Sequence, residues 1–254
     1  MNLKPSIRYQ FRDYVLSILT FLGVNLLILI GVLAGVLSFR MGDNPNISYS
    51  GFSMACAIFL FVYGIVLPRQ VTRLCVQLGI CRRTAFLSLF PALLLAALVL
   101  ALMGQGLLVL FQQVSLHFGA GPIFTDLFSL IYLDGAVQLS LAQHGMAILF
   151  NMLYMLAGFC LGLFFTFLFW RLNKVGCIIA ALAIPFVLAG IPALMGLFPT
   201  VFAPAVRLLA FLGTLYISSP WWGMACALIF ALFFALVSWM LIRRTNIRGG
   251  SLSK

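Results

Sequence analysis

The chain has 254 residues, of which 64% are hydrophobic and only 7% charged, against roughly 45–50% apolar in soluble domains. Its mean hydropathy is +1.19 and its net charge +11. These values exclude a soluble globular domain and leave an all-α polytopic membrane protein. They also make nucleic acid an unnecessary partner, because basic residues collect in the inner loops of membrane proteins.

Residues 2–14, NLKPSIRYQFRDY, repeat with helical spacing. Leu3, Ile7, Phe11 and Tyr14 form an apolar stripe, flanked at i, i+4 by Lys4, Arg8 and Arg12. That pairing predicts an amphipathic interfacial helix over 1–14, with the three basic residues anchored at lipid phosphates.

Six apolar spans are predicted next, at about 15–39, 51–67, 84–114, 143–170, 175–197 and 220–242. Lipid gives the backbone no hydrogen-bond partner, so runs near the roughly 20 residues needed to cross must be helical. The first, 25 residues from Val15 to Phe39, exceeds a signal-peptide core of about 7–15 residues and reads as a retained span. GVLAG (Gly31, Gly35) and GFCLG (Gly158, Gly162) are small-xxx-small patterns that let helix backbones approach closely. Pro185 and Pro192 should kink the fifth span. Asn25, Gln105, Gln112, Gln113 and Asn151 are the notable polar residues within spans and are expected to hydrogen-bond between helices.

The connectors differ in kind. Residues 40–50 form a short polar turn containing the NIS sequon pattern. Residues 68–84, PRQVTRLCVQLGICRRT, carry four arginines and no acid. Pro68 suits the first turn of a helix; Val71, Leu74, Cys75 and Leu78 share one face, and Arg69, Gln70, Arg73 and Gln77 the other. Gly79 suits a helix stop and Thr84 an N-cap. A separate short helix, a glycine break and a basic corner are therefore expected over about 68–83. Residues 115–142 are expected to lie along the outer surface. Residues 199–219 are expected to form an outer helical element before the sixth span; a seventh crossing there would put the C-terminal basic cluster outside. The basic tail covers 243–254.

Charge orients these spans. With the N-terminus inside, the inner side holds Lys4, Arg8, Arg12, Arg69, Arg73, Arg82, Arg83, Arg171, Lys174, Arg243, Arg244, Arg248 and Lys254; the outer side holds only Arg40 and Arg207. Asp43, Asp126 and Asp134 also fall outside. This asymmetry fits six spans in a plasma membrane with both termini cytoplasmic.

Several chemistries lack their residues. There is no G-x-x-x-x-G-K-[ST], so any ATP must be hydrolysed by another chain. The six cysteines (Cys56, Cys75, Cys81, Cys160, Cys177 and Cys226) show no C-x-x-C spacing and give neither a disulfide framework nor a metal site. His117 and His144 read as polar residues at membrane edges. The spans carry almost no charge, which suits a hydrophobic or amphipathic substrate better than proton or sodium coupling.

The stretch QLGICRRTAFLSLF resembles a signature of the ABC-2 type transporter permeases, in a subgroup common in Gram-positive bacteria. There a G-x-S-R-x-x-(aromatic) stretch opens the third span; here it falls on Gly79, Arg82 and Phe86, with Cys81 in place of the small hydroxyl residue. The order of elements is similar throughout: interfacial helix, six spans, inner helical connector and outer helical element. The resemblance implies a bacterial exporter in which two permease chains, identical or different, pair above two cytoplasmic ATPases that bind ATP and Mg. The 68–83 connector would be the coupling helix, with Arg69, Arg73, Gln77, Gly79, Cys81, Arg82 and Arg83 at the ATPase or the headgroups. No cofactor is expected on this chain. Two other classes compete: an ATP-independent carrier or channel, and an intramembrane enzyme or assembly factor with ionisable groups around one cavity.

Overall fold

Long uncharged runs of Leu, Ala, Phe and Val have one way to satisfy their backbone in lipid, and helices result. The computed structural model describes residues 4–33, 51–77, 82–117, 124–133, 139–172, 175–179 and 199–244. Its helices are α1 (Lys4–Leu33), α2 (Gly51–Gln77), α3 (Arg82–His117), α4 (Leu127–Tyr132), α5 (Leu141–Arg171), α6 (Pro199–Ser218) and α7 (Pro220–Arg244). Residues 175–179 are also helical.

Among the described residues, four helices hold segments long and apolar enough to cross a membrane: Gly51–Val71, Phe86–Val114, Leu141–Arg171 and Pro220–Arg243. They coincide with the expected second, third, fourth and sixth spans. The expected first span falls on α1, whose apolar part is the shorter Val15–Gly31. Of the expected fifth span only residues 175–179 are among those described, so Pro185 and Pro192 lie outside them, as do Gly35, Gly79 and Cys81.

Two boundaries differ from expectation. The first fourteen residues were expected to form their own helix, yet α1 runs unbroken from Lys4 to Leu33. The physical reason is in the sequence: after Pro5, which a first turn tolerates, no glycine or proline interrupts the chain before Gly23. Likewise α2 continues through Pro68 to Gln77. Pro68 is therefore a buried residue inside a helix rather than the start of a new one. Arg82 already belongs to α3, so Thr84 is inside that helix and does not cap it.

The helices pack as a bundle with a consistent polarity. Met54, Ala57 and Ile65 of α2 meet Tyr154, Gly158 and Thr166 of α5 in the same order, so these two run parallel. Gly223 and Phe234 of α7 meet Phe150 and Phe164 of α5, again in the same order. α3 runs the other way: Gly104 lies against Phe52 at the start of α2, whereas Phe86 stacks on Trp239 and Phe167 near the ends of α7 and α5. One end of the bundle thus collects Arg69, Arg73, Arg82, Arg83, Arg171, Arg243 and Arg244. The positive residues separated in sequence converge because each parallel helix carries arginine toward its end, and the antiparallel one begins with it.

The α2–α5 seam is the closest approach. A side chain at Gly64 would stand 2.5 Å from the Phe159 carbonyl, and one at Gly158 3.2 Å from the Ala57 carbonyl. One at Gly162 would run into the backbone of Phe61 and Gly64. Gly158 and Gly162, the GFCLG pair, therefore face α2, and their counterpart is Gly64. Gly31 sits at the edge of the described part of α1, half-buried.

Candidate functional site

Among the described residues, an apolar groove and a buried polar node carry chemistry beyond packing.

The groove lies between α2, α5 and α7, with Tyr216 of α6 at its rim, and has a volume of about 500 Å³. Met54, Ala57, Ile58 and Phe61 supply one wall, Tyr154, Ala157, Gly158 and Leu161 the second, and Cys226, Ala227 and Phe230 the third. The small residues that draw α2 and α5 together also leave the space, since alanine and glycine fill little of it. The only hydroxyls among the lining residues are those of Tyr154 and Tyr216. Tyr154 points its hydroxyl at the Met54 sulfur, 3.5 Å away. A cleft of this volume and polarity accommodates an apolar molecule or an acyl chain with one or two polar anchors.

The polar node was not anticipated. Asp126 was expected on the outer surface, in a segment running from 115 to 142. Instead α3 extends to His117, and the segment 124–133 tucks into the end of the bundle opposite the arginines. Asp126 is only 1% exposed. Its Oδ1 accepts from Ser53 Oγ at 2.5 Å and from the Leu127 amide at 2.9 Å. Its Oδ2 accepts from Gln105 Nε2 at 2.6 Å, and Asn151 Nδ2 reaches both oxygens, at 3.1 and 2.9 Å. Three spans and α4 are thus tied to a single carboxyl group.

Local sequence explains why the aspartate sits there. Asp126 caps α4, and Ser129 in the first turn exchanges bonds with it: Asp126 N–H donates to Ser129 Oγ at 3.2 Å. Phe124 and Phe128, each at most 2% exposed, press the segment inward from either side. The apolar residues that look odd in an outer loop are the ones that hold its acid inside.

Beyond the node, Tyr132 of α4 donates a hydrogen bond to the Tyr216 carbonyl at 2.9 Å. Its hydroxyl lies directly over Gly223, where a β-carbon has no room. α4, α6 and α7 meet at this point. Burial, helped by the neighbouring Tyr216 hydroxyl, pushes the Tyr132 hydroxyl from 10.0 up to about 12.

The residues expected to couple to a partner take the following places. Arg69 is exposed on the last turns of α2. Arg73 and Gln77 follow on the same helix, and Arg82 and Arg83 open α3. Phe86, the aromatic position of the permease-like signature, is buried and packs on Phe90, Phe167 and Trp239; its role in this chain is to join three helices. Lys4, Arg8 and Arg12 lie on the first turns of α1. Among the polar span residues, Gln105 and Asn151 do bond between elements, whereas Asn25 donates back to Phe21 of its own helix at 2.9 Å. Among the described residues no cluster of three or more histidine, cysteine or acidic side chains could hold a metal ion.

Comparison with protein-family models, with curated proteins and with solved structures gave no match.

Proposed function

We propose that the chain is the permease subunit of an ABC exporter that carries a hydrophobic or amphipathic substrate along the α2–α5–α7 groove. Two such chains, identical or different, would stand above two cytoplasmic ATPases that bind ATP and Mg. The arginine-rich end of the bundle would face the cytoplasm of a bacterial plasma membrane. The observation that supports this reading is the continuity of α2. One helix of 27 residues, about 40 Å long, forms a groove wall at Met54–Phe61 and ends in the basic turns Arg69–Gln77. A push on its basic end would reach the groove without passing through a loop.

Such a push drives transport only if the two states of the bundle bind the ATPases unequally. Affinity purification from native membranes tests the reading: a P-loop ATPase should co-purify. Charge reversal at Arg73 and Arg82 together should lower transport-coupled ATP hydrolysis while membrane insertion persists. Coupling that is unchanged in reconstituted vesicles would remove the ATPase from the mechanism.

A second reading, an ATP-independent carrier, draws support from Asp126. An ionisable side chain buried among membrane helices is costly and marks ion pathways more often than packing. This reading predicts substrate movement in vesicles that contain no ATP.

A further inference from the structure

The polar node holds more than hydrogen bonds among its own members. Gln105 and Asn151 are 5% and 3% exposed, and each turns its amide nitrogen to Asp126. Their carbonyl oxygens, Gln105 Oε1 and Asn151 Oδ1, are buried without a hydrogen-bond partner. Both residues line one small cavity, together with Ser53, Asp126 and the apolar side chains of α2, α3 and α5. Its volume is about 10 Å³, the room taken by one water or an ion of similar size.

We propose that this cavity binds a single monovalent cation of sodium size. A positive group is what the node lacks: every donor that reaches Asp126 is neutral, being a hydroxyl, two carboxamides and a backbone amide. A buried carboxylate without a countercharge is strongly disfavoured. A proton on Asp126 would supply the charge but leave both carbonyl oxygens orphaned. A water molecule would satisfy the carbonyls but not the charge. A cation does both as a single occupant, whereas a proton would need a water beside it.

The ligand set also selects the ion. Asp126, Gln105, Asn151 and Ser53 offer only hard oxygens, five at most. Calcium takes about 6–8, and magnesium keeps several waters for which the cavity has no space. One carboxylate balances one positive charge, which leaves a small monovalent ion. Because the ligands come from α2, α3, α5 and the cap of α4, occupancy locks the bundle end opposite the arginines. The proposal does not depend on the ATPase partner.

The experiment uses the purified full-length chain in lipid nanodiscs and the ion itself. Radioactive sodium binding is measured at constant ionic strength, with choline as the replacement cation. Saturable binding is expected, together with an upward shift of the thermal unfolding midpoint in sodium over choline. Asn151→Leu and Ser53→Ala each remove one ligand and should weaken sodium binding by at least about tenfold, the lower range that outer partners of metal sites alone command. Ser53→Ala leaves every helix-packing residue in place and guards against misfolding of the harsher variant. Three results would each overturn the proposal: sodium binding no greater than in choline-competed controls, sodium binding unaltered in folded Ser53→Ala, or a midpoint that follows pH but is indifferent to sodium.

Discussion

The Thr166 hydroxyl lies against the backbone carbonyl that Pro68 leaves without its amide. Proline at position 68 has no N–H for the carbonyl of Gly64, four residues earlier. Thr166 Oγ1, from the neighbouring α5, stands 3.3 Å from Gly64 O, 2.9 Å from Ile65 O and 3.1 Å from Gly162 O of its own helix, so its one proton is shared among three carbonyls. Membrane helices tolerate proline when an adjacent hydroxyl takes over the freed group. Thr166→Val keeps the shape and removes the donor, so it should destabilise by about 1 kcal/mol. The same substitution in a Pro68→Ala background should cost less, because the helix then satisfies Gly64 itself. A double-mutant cycle on unfolding in mild detergent measures the coupling; a coupling near zero would show that the two residues are independent.

The same crossing gives a steric prediction. Gly162 has no room for a β-carbon against Phe61 and Gly64, and backbone cannot swing aside as a side chain can. Gly162→Ala should therefore push α2 from α5 and cost about 1–3 kcal/mol. Gly106 of α3 has nothing within 4 Å of the equivalent position. Gly106→Ala should be neutral or stabilise by about 0.5–1 kcal/mol through lower chain entropy in the unfolded state. Thermal unfolding of the two variants side by side separates close approach from helix propensity.

At the other end of the seam, Asp126→Ala would strip the acceptor from Ser53, Gln105 and Asn151 at once. Buried donors without partners cost about 1–3 kcal/mol each at the protein level. The expected loss is a few kcal/mol, against about 1 kcal/mol for Ser53→Ala, where Asp126 keeps its other donors. A smaller loss for Asp126→Ala than for Ser53→Ala would contradict a central role for the carboxyl group.

Much of the helical layout was legible because lipid imposes it: uncharged runs gave α3, α5 and α7 within a few residues, and α2 except for its last ten. The connectors were harder, since they depend on what continues rather than on what is apolar. Pro68 and Thr84 carry the local signs of a helix start, but α2 runs through the proline, with the Thr166 hydroxyl against the turn before it. Asp126 was misplaced for a related reason. A single acid between apolar residues reads as an outer loop when each span is considered alone. The signal available was the coincidence of polar residues in separate spans, Ser53, Gln105 and Asn151, with no partners assigned to them. Three stranded polar side chains in apolar helices call for a shared partner, and a nearby aspartate is the obvious one.

Alkaline pH probes the junction of α4, α6 and α7. Tyr132 lies outside the spans, and its hydroxyl is raised from 10.0 to about 12 in the folded chain. A group raised in the fold contributes stability that is complete below its unfolded value and is lost as pH climbs through the folded one. Its contribution should therefore be intact below pH 10 and vanish toward about 12. Tyr132→Phe removes the bond to Tyr216 and should flatten this part of the pH–stability curve. An unchanged alkaline slope in the variant would assign the loss to other tyrosines.

The groove prediction concerns occupancy rather than stability. Cys226 is half-buried on α7 and faces the same 500 Å³ space as Tyr154 and Met54. Cys226→Trp adds bulk to open space, so the fold should survive, whereas an acyl chain should lose its seat. A diazirine-bearing fatty acid in nanodiscs should label groove peptides of α2, α5 and α7 above the rest of the lipid-facing surface. The tryptophan variant should reduce that labelling by about tenfold, equivalent to about 1.4 kcal/mol of binding. Labelling spread evenly over all exposed helix faces would mean that the groove is only lipid-filled surface. Labelling that is concentrated there and falls with tryptophan would show that the groove between α2, α5 and α7 seats an acyl chain.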